Sequence, residues 1–148
     1  MSFKNKENED TTIFVVDDDD VDVMGIERAL KKLNITNPML RARDGVEALQ
    51  MLRTQDLLQQ PFIMLLDINM PRKNGIEMLR ELRGDPELRR AVVFILTTSN
   101  AEEDKKLAYD LNVAGYIVKK NLGSGTMEIL KMLQHYWQSV ELPMLSKT

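Results

Sequence analysis

Four polar sites in this sequence each stand at the end of a short apolar run. They are Asp17-Asp18, Asp67, Thr97 and Lys119. Taken singly, a polar residue at the end of a strand usually marks only the point where the chain leaves the core. Three carboxylates, a hydroxyl and an ammonium together have complementary chemistry, and this combination indicates one functional site.

The residue types at these positions predict a site for a metal and a phosphoryl group. Carboxylates held close together repel one another, so the cluster requires a cation. Oxygen ligands alone favour Mg²⁺, which is typically held by one or two carboxylates and keeps several of its waters. Lys119 offers a compact positive charge to an anion, and the Thr97 hydroxyl offers a hydrogen bond. Asp67 can then carry a phosphoryl group covalently, since aspartate is a known phosphoryl acceptor.

Apolar runs and helical periodicity predict the five strands and five helices that position these residues. The predicted strands span residues 13–16, 39–43, 62–66, 91–96 and 116–118. The predicted helices span residues 20–33, a segment that Asp44 caps, and residues 75–83, 101–111 and 124–140. This alternation indicates a doubly wound α/β fold, with a five-stranded parallel sheet in the order 2-1-3-4-5. The carboxyl ends of parallel strands meet at one edge of the sheet, which brings the polar sites together.

The helical periodicity also predicts which side chains face the core. On the second, fourth and last helices these are Val46, Leu49 and Leu52, then Leu107, Ala108 and Leu111, then Leu130, Leu133, Trp137 and Val140. The strand at residues 39–43 carries two arginines and is predicted at an edge of the sheet.

Length and composition favour one domain of 148 residues with a net charge of −3 and no cysteine. We expect a mobile tail at residues 1–10, the domain at 11–140 and a C-terminal extension at 141–148. The absence of cysteine excludes disulfides and thiolate sites and fits a cytoplasmic protein. No apolar stretch approaches the ~18 residues of a membrane span. No basic element suited to DNA is present, and no output domain is expected in this chain.

The motifs resemble the receiver domain of two-component response regulators over residues 11–140. The matching features are the acidic pair after the first strand, the sequence Asp67-Ile68-Asn69-Met70-Pro71 with Gly75, and the spacing of Asp67, Thr97 and Lys119. The resemblance implies a flavodoxin-like (βα)5 fold. It implies that Asp67 accepts a phosphoryl group from the phosphohistidine of a sensor kinase. Asp18, Asp67 and the Asn69 backbone carbonyl would bind Mg²⁺, with Asp17 acting mainly through water.

The resemblance also implies how the phosphoryl group is sensed. Thr97 and Lys119 would contact its oxygens, and Tyr116 matches the aromatic switch position of the family. Such a chain is not an enzyme in the ordinary sense but assists its own phosphorylation and dephosphorylation. It signals by conformational change to a downstream protein, whose identity the residues do not give.

A narrower resemblance is to the small stand-alone regulators that partner phytochrome-type histidine kinases. It rests on residues 65–75 and 109–113, on Tyr136-Trp137 and on Leu142-Pro143. In keeping with it, we expect a symmetric homodimer through the last two helices and the fifth strand, with Tyr109 and Tyr136 at the interface. Residues 141–148 would add to the contact. The alternative is that both tyrosines lie at the boundary of the core of their own chain, with their hydroxyls in water.

Two residues depart from the receiver pattern, and several other functions compete. Lys120 replaces the usual proline after Lys119, which leaves the isomer of that peptide open. Thr98 is bulkier than the usual alanine or glycine and narrows access to the acceptor.

A pseudo-receiver that works without phosphorylation, or a phosphorelay intermediate, remains an alternative. A phosphatase of the haloacid dehalogenase type is disfavoured because Asn69 stands where its second aspartate is needed. A flavodoxin-like cofactor site is disfavoured because residues 17–20 would repel a phosphate.

Overall fold

The computed structural model describes residues 11–54, 60–70, 74–119 and 124–145, and in this part of the chain five strands alternate with five helices. Their bounds are β1 (Thr12–Val16), α1 (Asp20–Lys32), β2 (Met39–Ala42), α2 (Gly45–Thr54), β3 (Phe62–Leu66), α3 (Gly75–Gly84), β4 (Val92–Thr97), α4 (Glu102–Asp110), β5 (Gly115–Val118) and α5 (Ser124–Ser139). The predicted tail at residues 1–10 and the last three residues of the extension lie outside the described residues.

The five strands form one parallel sheet in the order β2-β1-β3-β4-β5, which confirms the predicted fold and topology. The three strands with the most apolar sequences, β1, β3 and β4, occupy the centre. β2 lies at an edge, as the two arginines of residues 39–43 indicated; Arg41 lies within the strand and Arg43 directly follows it. Both faces of the central strands are buried, since every residue of β1 and β3 is buried.

Alternate side chains of the central strands point to opposite faces of the sheet and pack into two separate cores, one on each face. One core joins the sheet to α1 and α5, with Trp137 buried at its centre. The other joins the sheet to α2, α3 and α4. The helices therefore cover both faces of the sheet, and they leave the carboxyl ends of the strands uncovered at one edge.

The predicted core positions of α2 and α4 need correction. Asp44 caps α2 as expected, because its side chain accepts a hydrogen bond from the Glu47 backbone N–H at 2.9 Å. Val46 was predicted to face the core but is exposed. The small residues Gly45 and Ala48 let α2 approach the sheet on their side, which turns Val46 outward. On α4 only Ala108 is fully buried, and Leu107 and Leu111 are half-buried at the edge of the core.

The segment after α5 connects the two cores. Val140 follows the last helical residue, Ser139, and is only half-buried. Leu142 packs against the core of α1 and α5, and Leu145 is 3% exposed within the core of α2–α4. In the parts of the chain that the structure describes, no helix is both long and apolar enough to cross a membrane. The expected cytoplasmic location stays a prediction.

Candidate functional site

The ends of four strands converge at one edge of the sheet, and backbone hydrogen bonds extend the sheet by one residue there. The Asp67 N–H donates to the Val16 carbonyl at 2.9 Å, and the Lys119 N–H donates to the Thr97 carbonyl at 2.7 Å. Asp17 is fixed in the same way by the carbonyl of Ala42 at 3.0 Å. The sheet itself therefore positions these backbone atoms, and their side chains meet above its edge.

Asp67 is buried, at 7% exposure, and its two oxygens have different neighbours. Oδ1 accepts a hydrogen bond from the Thr97 hydroxyl at 2.7 Å and from the Asn69 N–H at 3.2 Å. Oδ2 lies 3.6 Å from the Lys119 ammonium nitrogen. A carboxylate with a hydroxyl on one side and an ammonium on the other is surrounded by groups that can also bind the oxygens of an added anion.

Three carboxylates come close enough to share a metal ion. One oxygen each from Asp17, Asp18 and Asp67 lies within 4.8 Å of the other two. Asp17 and Asp67 are buried, and Asp18 is exposed. An all-oxygen donor set of this kind fits a hard divalent cation. Asn69 is held in the same loop by the Asp67 side chain, and the predicted ligand role of its carbonyl stays a prediction.

Lys119 contacts more carboxylates than the sequence indicated. Its ammonium nitrogen lies 2.8 Å from Asp17 Oδ2 and 2.6 Å from Asp22 Oδ2. Burial by itself lowers the pKa of Lys119, but the hydrogen bonds to Asp17 and Asp22 outweigh it, and the pKa is raised above the usual lysine value. Lys119 therefore remains a cation. Asp17 Oδ2 accepts a hydrogen bond from this ammonium. The predicted role of Asp17, which is to act on the metal mainly through water, stays a prediction.

Asp22 is not among the residues predicted for the site, although its position in the sequence carries a signal. It lies on α1 and is 6% exposed. Its position is one helical turn before Ile26, which places it on the buried stripe of α1 together with Val23. An acidic residue on an apolar stripe needs a buried partner. The sequence did not show that this partner is Lys119, which lies 97 residues further on.

The remaining two aspartates of the acidic run have structural contacts. Asp19 caps α1, since its side chain accepts from the Val21 N–H at 2.9 Å and the Asp22 N–H at 3.3 Å. Asp20 pairs on the surface with Arg41 at 2.8 Å and Arg43 at 3.2 Å. Arg41 also donates from Nε to the Asp17 carbonyl at 2.9 Å, which ties the acidic loop to β2.

Hydrogen bonds link Thr97 to the predicted switch residue Tyr116. The Ser99 N–H donates to the Thr97 hydroxyl oxygen at 3.3 Å. The Tyr116 hydroxyl donates to the Ser99 carbonyl at 2.9 Å, and the Ser99 hydroxyl donates to Asp104 at 2.5 Å. Partial burial raises the pKa of Tyr116, so its hydroxyl keeps its proton. The loop after β4 is thus attached to both Asp67 and Tyr116.

The other residues singled out from the sequence differ in their surroundings. Thr98, which directly follows Thr97, is exposed, and Lys120 lies outside the described residues. Tyr109 is 53% exposed on α4. Tyr136 is half-buried, and its ring packs edge-on against Phe94 with the ring centres 5.0 Å apart. Tyr109 is therefore a surface residue, whereas Tyr136 contributes to the chain's own core.

Comparisons with known proteins give consistent matches. The family model described as response regulator receiver domain matches residues 13–134. Response regulator Rcp1 of Synechocystis sp. is 31% identical in an alignment of 143 residues, which covers 94% of this chain and 97% of that protein. The crystal structure of the phosphorylated cyanobacterial phytochrome response regulator RcpA has a TM-score of 0.80 and 37% identity, covering 90% of this chain and 98% of that one. The Mn²⁺-bound form of Rcp1 has a TM-score of 0.78 and 31% identity, covering 90% and 99%.

Proposed function

The chain belongs to the response regulator receiver domain family, and from this premise we propose that Asp67 is its phosphoryl acceptor. We base this assignment on the surroundings of the Asp67 carboxylate. The Asp67 carboxylate is the point where the Thr97 hydroxyl, the Lys119 ammonium and two further carboxylates meet. The protein is a two-component response regulator, and the donor we propose is the phosphohistidine of a sensor histidine kinase.

The proposed transfer breaks one bond and forms one. An Asp67 oxygen attacks the phosphorus atom, and the new P–O bond forms as the P–N bond to the kinase imidazole breaks. The imidazole nitrogen leaves with the electron pair and is protonated. Lys119 and Thr97 stabilise the charge on the transferring group, because an ammonium and a hydroxyl can both donate hydrogen bonds to phosphoryl oxygens. In dephosphorylation, water attacks the same phosphorus atom, the P–O bond to Asp67 breaks, and inorganic phosphate and the free carboxylate are released.

We propose that the divalent cation is Mg²⁺, held by Asp17, Asp18 and Asp67. The fit rests on three carboxylate oxygens that converge without a nitrogen or sulfur ligand among the described residues. When bound, the ion would neutralise carboxylate repulsion and draw the incoming phosphoryl oxygens toward Asp67. The related Rcp1 has been solved with Mn²⁺, which prefers the same oxygen ligands.

We propose that Thr97 and Tyr116 report the state of Asp67. Thr97 already donates to Asp67 Oδ1, so a phosphoryl group needs only to redirect an existing hydrogen bond. Movement of Thr97 shifts Ser99, whose carbonyl accepts from the Tyr116 hydroxyl. Tyr116 then changes its rotamer population as the loop moves. The surface around α4 and β5 is where a downstream protein would sense this change.

We make two further proposals about the proteins that this chain binds. We propose a phytochrome-type kinase as the donor, supported by the likeness to RcpA, which is described as a phytochrome response regulator. We also propose a homodimer through α4, β5 and α5, supported by the exposed ring of Tyr109. A phosphorelay intermediate would pass the group on to a second histidine, and label would then move from this chain to an added histidine-containing phosphotransfer protein.

The substitution Asp67→Asn tests the acceptor directly. Incubation with radiolabelled acetyl phosphate should label the parent only when Mg²⁺ is present, and should leave the Asn variant unlabelled. Asp110→Asn, an exposed residue of α4, is the matched control and should be labelled like the parent. Equal labelling of Asp67→Asn and the parent would show that the acceptor lies elsewhere. A parent that takes no label with Mg²⁺ would favour the pseudo-receiver.

A further inference from the structure

Asp22 is a buried carboxylate that the proposed phosphoryl transfer does not use. Its side chain is 8% exposed, and the Lys119 ammonium lies 2.6 Å away. Among the described residues, Lys119 is the one basic side chain within 4 Å of the carboxylates of Asp17, Asp22 or Asp67. A single ammonium thus compensates three buried carboxylates. Its distance from each of them determines how strongly that carboxylate is stabilised.

The distances show that Lys119 is held toward Asp22 and Asp17 and away from Asp67. The nitrogen is 2.6 Å from Asp22 and 2.8 Å from Asp17, both within the range of charge-assisted hydrogen bonds. Its distance of 3.6 Å to Asp67 Oδ2 is too long for a hydrogen bond. A small cavity of about 20 Å³ lies beside this pair and is lined by Asp22, Lys119 and Thr126 among others.

Asp17 and Asp22 differ in what can replace Lys119. Asp17 belongs to the group of three carboxylates that can share a metal ion, and Asp22 does not. When Lys119 turns toward a phosphoryl group, Asp17 can be compensated by the cation, whereas Asp22 keeps only a weakened pair. A buried carboxylate without a full partner is unfavourable. The contact with Asp22 therefore opposes the movement of Lys119 toward Asp67.

We propose that Asp22 is a positioning residue that competes with the phosphoryl group for Lys119 and so destabilises the phosphorylated state. This inference rests on the proposed acceptor role of Asp67 and extends it to a residue on α1. Asp22 then limits how much of the chain is phosphorylated at a given donor concentration, because the free energy of its contact with Lys119 is lost or reduced on phosphorylation. The residue acts only through Lys119 and touches neither the metal ligands nor the acceptor.

The test compares the binding of beryllofluoride, a phosphoryl mimic, in Asp22→Asn and the parent. The Asn side chain keeps the shape and a hydrogen-bond acceptor but removes the charge. With Mg²⁺ saturating, a ¹⁹F NMR titration should show beryllofluoride bound about ten-fold more tightly by Asp22→Asn, the size expected for one charge-assisted hydrogen bond. The affinity for Mg²⁺ alone, measured separately, should change far less, which a general distortion of the site would not produce.

Two further variants separate competition from other effects. Asp20→Asn removes an equal charge from the same turn of α1 but from an exposed carboxylate paired with Arg41 and Arg43, so it reports the general electrostatic effect. Asp22→Glu restores the charge, and the neighbouring cavity can take part of the longer side chain. It should bind the mimic as the parent does. If Asp22→Asn fails to fold, Asp22→Ser, which also removes the charge, takes its place and should likewise bind the mimic more tightly than the parent.

Three outcomes would overturn the inference. These are unchanged or weaker binding of beryllofluoride by Asp22→Asn, an equal gain in Asp20→Asn, or weaker binding by Asp22→Glu than by the parent. Each would show that Asp22 supports Lys119 or has no specific influence on it. Failure of the proposed acceptor role is distinguishable, because the parent itself would then bind no beryllofluoride and take no label on Asp67.

Discussion

Asp17 to Asp20 are four identical side chains whose surroundings differ within one short stretch of chain. Asp17 is buried against Lys119, and Asp18 is exposed beside it. Asp19 caps α1, and Asp20 forms surface ion pairs. Only the first two are placed to bind a metal ion with Asp67. Their roles follow from burial and hydrogen-bond partners, which residue type alone does not define.

Asp17→Asn tests the energetic consequence of burying one of these carboxylates. Burial raises the pKa of Asp17 above its usual 3.8, although the hydrogen bond from Lys119 acts the other way. A folded-state pKa above the unfolded value means that protonated Asp17 contributes stability below about pH 4, which is lost as the pH rises through the raised pKa. We therefore expect Asp17→Asn to be more stable than the parent at pH 7 without metal, and the difference to vanish toward pH 4.

Chemical denaturation at several pH values in the presence of a chelator measures this difference. Addition of Mg²⁺ should stabilise the parent more than Asp17→Asn, since the variant has lost one metal ligand. Asp110→Asn serves as the control for a carboxylate that is exposed. A parent more stable than Asp17→Asn at pH 7 without metal would contradict the prediction.

At the scale of secondary structure, the start of α3 holds the acceptor loop in place. Asn74 and Glu77 form reciprocal side-chain to backbone bonds that fix the first turn of the helix. The Gly75 N–H donates to the Ile68 carbonyl at 2.9 Å. A Cβ atom at Gly75 would lie 2.5 Å from the Asp67 carbonyl oxygen, so only glycine allows this close approach.

Gly75→Ala should therefore displace the acceptor loop. Because the clash is with backbone rather than with a flexible side chain, we expect a loss of about 1–3 kcal/mol in the free energy of unfolding. Phosphorylation of Asp67 by acetyl phosphate should fall as well. Gly25→Ala is the matched control, since nothing lies within 4 Å of its added Cβ and alanine favours the interior of α1. Its stability should rise by about 1 kcal/mol, with phosphorylation unchanged.

The sequence predicted the elements better than the contacts between them. Short apolar runs located the central strands, since a strand buried on both faces leaves a continuous apolar signature. Val46 was placed wrongly because the approach of α2 depends on the small side chains beside it. The ion pair of Asp22 and Lys119 was not foreseen, because it joins residues that only the folded sheet brings together. The pattern of neighbouring residues indicates whether a side chain is buried. It carries little information on which distant residue that side chain contacts.

At the scale of the whole molecule, the surface available for a second copy is narrower than the sequence indicated. Leu145 is buried within the core of α2–α4, so this part of the extension is occupied by the chain's own contacts. Tyr136 packs on Phe94 within the other core. Tyr109 remains an exposed aromatic side chain on α4, which is the kind of residue that anchors interfaces.

We expect the parent to dimerise, and Tyr109→Ala to weaken the dimer without a loss of monomer stability. Light scattering over a concentration series, with and without beryllofluoride and Mg²⁺, gives the mass of each species. Tyr136→Ala is an informative comparison, because it should lower the free energy of unfolding through the lost contact with Phe94. A parent that stays monomeric at high concentration in both states would contradict the proposed dimer.

The long sequence separation of the site residues has a consequence for the order of folding. Asp17 and Asp67 follow strands that pair directly, whereas Lys119 lies 102 residues after Asp17. During synthesis β1 and β3 are therefore complete well before the cation that compensates their carboxylates emerges. In refolding of the complete chain, β1 and β3 also pair before the more distant Lys119 joins them. The partly folded chain then has the mutual repulsion of these carboxylates without the compensating ammonium. Dissolved salt screens such repulsion, so refolding of this protein should become faster as ionic strength rises, opposite to what a chain held together by surface ion pairs would show.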